Sequence, residues 1–360
     1  MIDLYSLTLD GLGDLLASWG EPRFRAKQIW SWLYEKRVDS FDAMTNLSKP
    51  LRERLKAEAT LGSLAVELEQ ASADGTVKRL YRLPDNQLIE SVLMEYDDDR
   101  RTACISTQAG CAMGCVFCAT GQMGFARHLS ADEIFEQAML FARDLEARGE
   151  RLSNVVLMGM GEPFHNYDGS IQAVRRLMHD LGIGARHITV STVGLVPMIR
   201  RFADEGLQVK LAISLHAATD AERDALLPVN RRYPLRELIG ACHYYTEKTG
   251  RRISFEWTLI QGKNDTPEQA HALGKLLRGL NCHVNVIPLN PTAGFAGDPS
   301  AAARIDAFIG ILNDEYRIPA TVRIRRGIDI DAGCGQLKSK VLARRDRAVS
   351  EVVKPIAGNE

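Results

Sequence analysis

Thr102-Ala-Cys-Ile-Ser-Thr-Gln-Ala-Gly-Cys111-Ala-Met-Gly-Cys115-Val-Phe-Cys118 is the stretch from which the rest of the chain can be read. Its first half alternates in the manner of a short strand. Its second half sets three thiols at Cx3Cx2C spacing, in a loop short enough to wrap a compact inorganic core. From this point onward strand and helix patterns alternate. Candidate strands are 103–107, 154–160, 187–193, 209–216, 253–260 and 283–289, with helical patterns between them. One such pattern is 130–148, where Ser130 and Glu133 make a capping box. About six alternations imply βαβ units and a parallel sheet. Six strands are too few for a closed eight-stranded barrel. The expected fold class is therefore α/β: a partial, open β/α barrel of about six parallel strands with a small N-terminal α+β domain. In such folds ligands sit at the carboxyl ends of the strands.

The three thiols admit more than one reading. Cys115 and Cys118 alone suit a redox motif or half of a zinc site. A dithiol oxidoreductase has no need of Cys111 four residues upstream. Zinc stays open if a distant Cys or His completes the tetrahedron, although no second CxxC or HxxxH follows at finger-like spacing. Iron–sulfur cubanes usually take four thiolates, so three would leave one iron open for another ligand.

Composition narrows the class. The 360-residue chain is 45% hydrophobic, enough for a large core, and is expected to hold one large domain and a small one. A net charge of -1 supplies no global field for nucleic acid or acidic membranes, so any RNA contact rests on local basic patches. The first residues lack a basic region followed by an apolar core, and no apolar run approaches the roughly 20 residues needed to span a bilayer. Seven Cys, three of them crowded together, point to a reducing compartment and metal-binding or catalytic thiols. A cytoplasmic monomer with no membrane partner is the expectation.

Upstream of the thiols, residues 1–96 read as an accessory unit. Pro22 suits a first helical turn, and Ala26, Ile29, Trp30 and Leu33 fall on one helical face. Arg23, Arg25, Lys27, Lys36, Arg37, Lys49, Arg52, Arg54 and Lys56 make this the most basic part of the first third and the leading candidate for RNA docking. Asp74-Gly75 signals a hairpin, followed by a strand over 87–94. Glu90 lies in that strand. Its pattern suits a solvent-side position, whereas facing a cavity it would serve as a proton acceptor.

Downstream, polar groups recur at successive strand ends. Gly159-Met-Gly-Glu-Pro163 fails the GxGxxG dinucleotide pattern, yet its two glycines allow close backbone approach and Glu162 suits an ammonium group. A plain turn is the alternative. Ser191 and Thr192, then Ser214-Leu-His216, then Asn290-Pro291 continue the series; His216 alone would read as a structural histidine. A Gly/Pro/Ala-rich mobile loop is expected over 291–303 and a last strand over 320–325. Cys334, set between two glycines, reads as an accessible, reactive thiol, with Arg325 and Arg326 able to lower its pKa if they fold close. Cys242 and Cys282 read as core residues. The large domain is assigned to 97–345, and 346–360 to a poorly ordered tail.

Cx3Cx2C with Phe117 before the last Cys resembles the signature of the radical S-adenosylmethionine enzymes. Gln108–Cys118, Met158-Gly-Met-Gly-Glu-Pro163, Leu215-His216-Ala217 and Asp329-Ile-Asp-Ala-Gly-Cys-Gly-Gln336 together resemble the RlmN/Cfr-like family of radical S-adenosylmethionine RNA methyl synthases, up to about residue 345. The resemblance implies methylation of adenine carbon 2 in 23S rRNA and tRNA, with two S-adenosylmethionine molecules, a methyl-cysteine intermediate and a 5′-deoxyadenosyl radical. It implies that Cys111, Cys115 and Cys118 hold a 4Fe–4S cluster. Gly161, Glu162, Ser191, Ser214, Leu215, His216 and Asn290 would line the S-adenosylmethionine site. It further implies that Cys334 carries the methyl, Cys104 is its disulfide partner, Glu90 accepts the proton and a flavodoxin-type donor restores the reduced state. Carbon-8 methylation, as in Cfr-like members, would use the same residues. A zinc-stabilised RNA-binding protein without catalysis is the reading from a different class.

Overall fold

The computed structural model describes residues 1–337; the expected boundary at 345 and the tail 346–360 lie outside the described residues. One ten-stranded sheet organises the chain. Its strands are β1 (Ala65–Ala71), β2 (Val77–Arg82), β3 (Leu88–Glu95), β4 (Arg101–Cys104), β5 (Asn154–Leu157), β6 (Ile188–Thr192), β7 (Lys210–Ser214), β8 (Ile253–Leu259), β9 (Cys282–Pro288) and β10 (Ala320–Val322). Each strand pairs with its sequence predecessor. Strands β4 to β10 are parallel. β1 to β4 run antiparallel to one another. The sheet does not close, so the partial barrel read from the sequence is what forms, with the short 320–322 strand as a seventh parallel member. The N-terminal hairpin extends this same sheet.

Alternation decides the two faces. In β8, Ile253, Phe255, Trp257 and Leu259 are fully buried against the helical layer, while Glu256 and Thr258 point to the concave side and line a cavity there. The outer layer includes α4 (Ala131–Ala147), α5 (Tyr167–His179), α6 (Val196–Asp204) and α8 (Leu235–Thr249), with the shorter α7 (Asp220–Leu226) between α6 and α8. α4 begins with the capping box expected at Ser130 and Glu133. The N-terminal helices α1 (Leu9–Ser18), α2 (Arg25–Trp30) and α3 (Lys49–Glu58) are moored to this layer through Arg176. Its guanidinium lies 4.1 Å from the Phe135 ring centroid and donates to the Tyr5 carbonyl, the Tyr34 hydroxyl and Asp132 at 2.7–2.8 Å.

The segment after β10 links the two ends of the open sheet. Arg323 N–H donates to the Val286 carbonyl of β9 at 2.8 Å. Gly327 N–H then donates to Asp74 in the β1–β2 turn at 2.9 Å, and Ser72 Oγ donates to Asp329 at 2.6 Å. From there the chain returns to the thiol loop, where the Gly335 carbonyl accepts from Ala119 N–H at 2.7 Å. No helix among the described residues is long and apolar enough to cross a membrane.

Candidate active site

A cavity of about 960 Å³, counted with its open mouth, lies on the concave face at the carboxyl ends of the parallel strands. Of the residues singled out in the sequence, Cys111, Cys115, Cys118, Gly161, Glu162, Ser191, Ser214, His216, Asn290 and Cys334 line it. Leu215 does not: its side chain is buried in the main core, and its carbonyl instead accepts from Arg223 Nε at 3.2 Å. Cys104 and Glu90 are buried and are not among the residues that line it.

Glu162, His216 and Asn290 are each held by backbone groups. Glu162 is fully buried in the turn after β5, where Oε1 accepts from Phe164 N–H at 3.0 Å and Oε2 from Val193 N–H at 2.9 Å. Burial raises its pKa to about 7 despite these donors. An arriving ammonium would reverse that desolvation cost. Gly161 has φ +102°, and a Cβ there would meet Gln108 at 2.6 Å, so only glycine fits the close pass. His216 takes a left-handed φ of +58°. Its Nδ1 accepts from Thr258 N–H at 2.9 Å, and burial brings its pKa to about 3. The ring is therefore neutral with its proton on Nε2, its edge against Phe117. Asn290 donates to the Cys334 carbonyl at 3.1 Å, while its Oδ1 is buried with no hydrogen-bond partner among the described residues.

The three thiols form a soft donor set of the kind that fits an iron–sulfur cluster. Among the described residues no three His, Cys, Asp or Glu converge closely enough to hold one metal ion. Cys111, Cys115 and Cys118 lie within electrostatic reach of one another in the cavity lining, where they would hold an iron–sulfur core with one iron left for another ligand. Beside them stand an orphan acceptor on Asn290 and a buried carboxylate at Glu162, which fit the amino-acid end of S-adenosylmethionine.

Cys334 and Cys104, 230 positions apart, come together. Burial pushes the Cys104 thiol up to about 12, with the nearby Cys334 adding to the shift. All cysteines of the chain are free, so the disulfide implied by the resemblance is not formed here. The arginine facing Cys334 is neither Arg325 nor Arg326 but Arg323, whose pKa is raised first by Cys334 and then, against its burial, by Glu256 and Cys104. Arg326 instead stacks on Tyr96 and donates to the Asp74 carbonyl. Cys242 and Cys282 are buried, as core residues should be.

Glu90 differs from the solvent-side position that its pattern suited: it is 3% exposed, because both faces of β3 are covered. The N-terminal cations are also less free than their sequence density suggested. Arg37 pairs with Glu146, Arg54 with Glu58 and Lys56 with Asp42, at 2.6–2.8 Å. Sequence reasoning missed Arg223, the fully buried arginine of α7. It donates to the carbonyls of Val193 at 2.5 Å and Ser214 at 3.3 Å, and to Asn230 at 2.9 Å, and so ties the ends of β6 and β7 together. A charged residue on a short charged helix carries no sign of burial in sequence.

Comparison with known proteins agrees with this geometry. Residues 2–61 match the family model described as ribosomal RNA large subunit methyltransferase N-terminal domain, and residues 105–273 match the radical SAM superfamily. Dual-specificity RNA methyltransferase RlmN 1 of Myxococcus xanthus is 56% identical over 350 residues, covering 96% of this chain and 97% of the relative. A probable dual-specificity RNA methyltransferase RlmN of Chloroflexus aurantiacus is 52% identical, covering 94% of this chain and 93% of the relative. The crystal structure of a radical SAM methyltransferase from Sphaerobacter thermophilus superposes with a TM-score of 0.90 at 50% identity, covering 94% of this chain and 99% of that one.

Proposed function

The chain belongs to the RlmN family of radical S-adenosylmethionine RNA methyltransferases, and from that premise we propose that it methylates carbon 2 of adenine in 23S rRNA and in tRNA. The observation that carries this reading is the meeting of Cys334 and Cys104 beside the three-thiol loop. Adenine carbon 2 is electrophilic and has no lone pair, so displacement at a sulfonium cannot methylate it directly. A protein thiol that first accepts the methyl solves that problem.

In this reading Cys111, Cys115 and Cys118 hold a 4Fe–4S cluster, with Gly161, Glu162, Ser191, Ser214, His216 and Asn290 around S-adenosylmethionine. When bound, this pair supplies a hydrogen-abstracting 5′-deoxyadenosyl radical. Cys334 takes a methyl group by displacement, its sulfur–carbon bond forming as the sulfonium bond breaks. After the activated methyl carbon has joined the ring, the odd electron would pass back to the cluster and Glu90 accepts the ring proton. Cys104 then attacks the Cys334 sulfur as thiolate; the disulfide forms, the sulfur–carbon pair goes to the former methyl carbon, and that carbon takes up a proton as the methylated product leaves. His216, its Nδ1 held by the Thr258 N–H, would offer Nε2–H to the bound ligand. We also propose that a flavodoxin-type donor resets the disulfide, that the enzyme acts as a monomer on cytoplasmic RNA, and that exposed cations of residues 1–96 such as Lys27 and Lys49 dock that RNA. Supporting these points are the seven free thiols and the match of the N-terminal model.

The test is nucleoside analysis of 23S rRNA and tRNA after anaerobic reaction with the reconstituted enzyme. 2-Methyladenosine in both is the expected result. 8-Methyladenosine would transfer the enzyme to the carbon-8 chemistry. A colourless protein holding one zinc and yielding no methylated nucleoside would leave an RNA-binding module.

A further inference from the structure

Lys78 is a lysine that ought to be expensive. It sits on β2, 6% exposed, and burying an ammonium costs several kcal/mol unless it is paired. Its Nζ lies 3.9 Å from Glu90 Oε1 and 3.4 Å from the carbonyl of Asp331. Strand register explains the meeting. Lys78 stands opposite Val92, and Val92 opposite Cys104, so Lys78 and Cys104 share one row and one face of the sheet. Glu90 is diagonal to Lys78 on that face, because its direct partner is Leu80. Asp331 is three residues before Cys334 on the segment that joins the sheet's two ends. One cation therefore touches both the strand that carries the candidate base and the segment that carries the candidate methyl carrier.

We propose that Lys78 is a positioning residue for the second half of the reaction, aligning the Glu90 carboxylate with the segment that presents Cys334. The proposal rests on the roles assigned above to Glu90 and Cys334. The ring proton goes to Glu90.

The test uses the full-length, cluster-reconstituted enzyme with RNA. Lys78→Met and Lys78→Gln should still methylate Cys334, read by mass spectrometry of its peptide, while product formation falls about 100-fold and a covalent protein–RNA adduct accumulates. Lys78→Arg should restore much of the turnover. Product formation at the parent rate by Lys78→Met or Lys78→Gln would overturn the proposal. So would loss of Cys334 methylation in step with activity in both, which would make Lys78 a folding residue. Glu90→Gln, run in parallel, separates the two readings. If it traps adduct and the Lys78 variants do not, the inference about Lys78 alone fails. If it turns over normally, the base assignment falls and takes Lys78 with it.

Discussion

Arg223 shows how single side chains shape the cavity. Its guanidinium serves carbonyls on two strand ends, and nothing apolar of similar size could satisfy them. Arg223→Met should cost about 3–5 kcal/mol, because it strands buried acceptors. The check is chemical denaturation; a loss under about 1 kcal/mol would show that the carbonyls find other donors. In the proposed function Glu162 acts on the ligand rather than on the fold. Glu162→Gln should weaken S-adenosylmethionine binding about 10- to 100-fold, as expected for a lost charge-assisted hydrogen bond. Equilibrium dialysis measures this, and unchanged affinity would move the ammonium site elsewhere. Cys104→Ala should leave protein and RNA joined through Cys334, visible as a shifted band on a denaturing gel. Clean release would remove Cys104 from the resolving step.

Among the elements, α4 meets the N-terminal unit at several side chains, one of them a buried carboxylate. Glu136 is buried and accepts from Ser63 N–H at 2.8 Å and Leu64 N–H at 3.1 Å. Burial raises its pKa from 4.5 to about 7. Because the folded value lies above the unfolded one, its contribution is fully present below pH 4.5 and is lost as pH rises through about 7. The thermal midpoint of the parent should therefore fall across that window relative to Glu136→Gln; parallel curves would show that the carboxylate ionises without cost. The elements themselves were legible wherever a local rule governs them. The Ser130–Glu133 box, the Asp74-Gly75 turn and the six parallel strands follow from capping, turn chemistry and alternation. Glu90 and Lys78 were not legible as buried groups. Alternation describes one strand, whereas their cover comes from a neighbouring strand and from a segment more than 230 residues away. Arg323 escaped for the same reason, since its partners Cys334 and Glu256 come together only in three dimensions.

At the level of the molecule, the segment 323–337 ties the β1–β2 turn to the cavity. Hydrogen bonds from Gly327 and Thr76 outweigh partial burial and hold the Asp74 carboxyl at about 2. Asp74→Ala should raise hydrogen exchange across 323–333 and lower product formation, with the exchange rates of β6 to β8 unchanged. Equal exchange in the parent and the variant would mean that the turn does not anchor the segment. Every strand of the sheet lies beside the one synthesised before it, so the sheet can widen in step with translation. The segment that spans its open side follows all ten strands out of the ribosome. Until it emerges, the cavity wall that carries the cysteines at 111, 115 and 118 lacks the part built from Cys334 and Gly335. Cys334 arrives afterwards, with the closing segment.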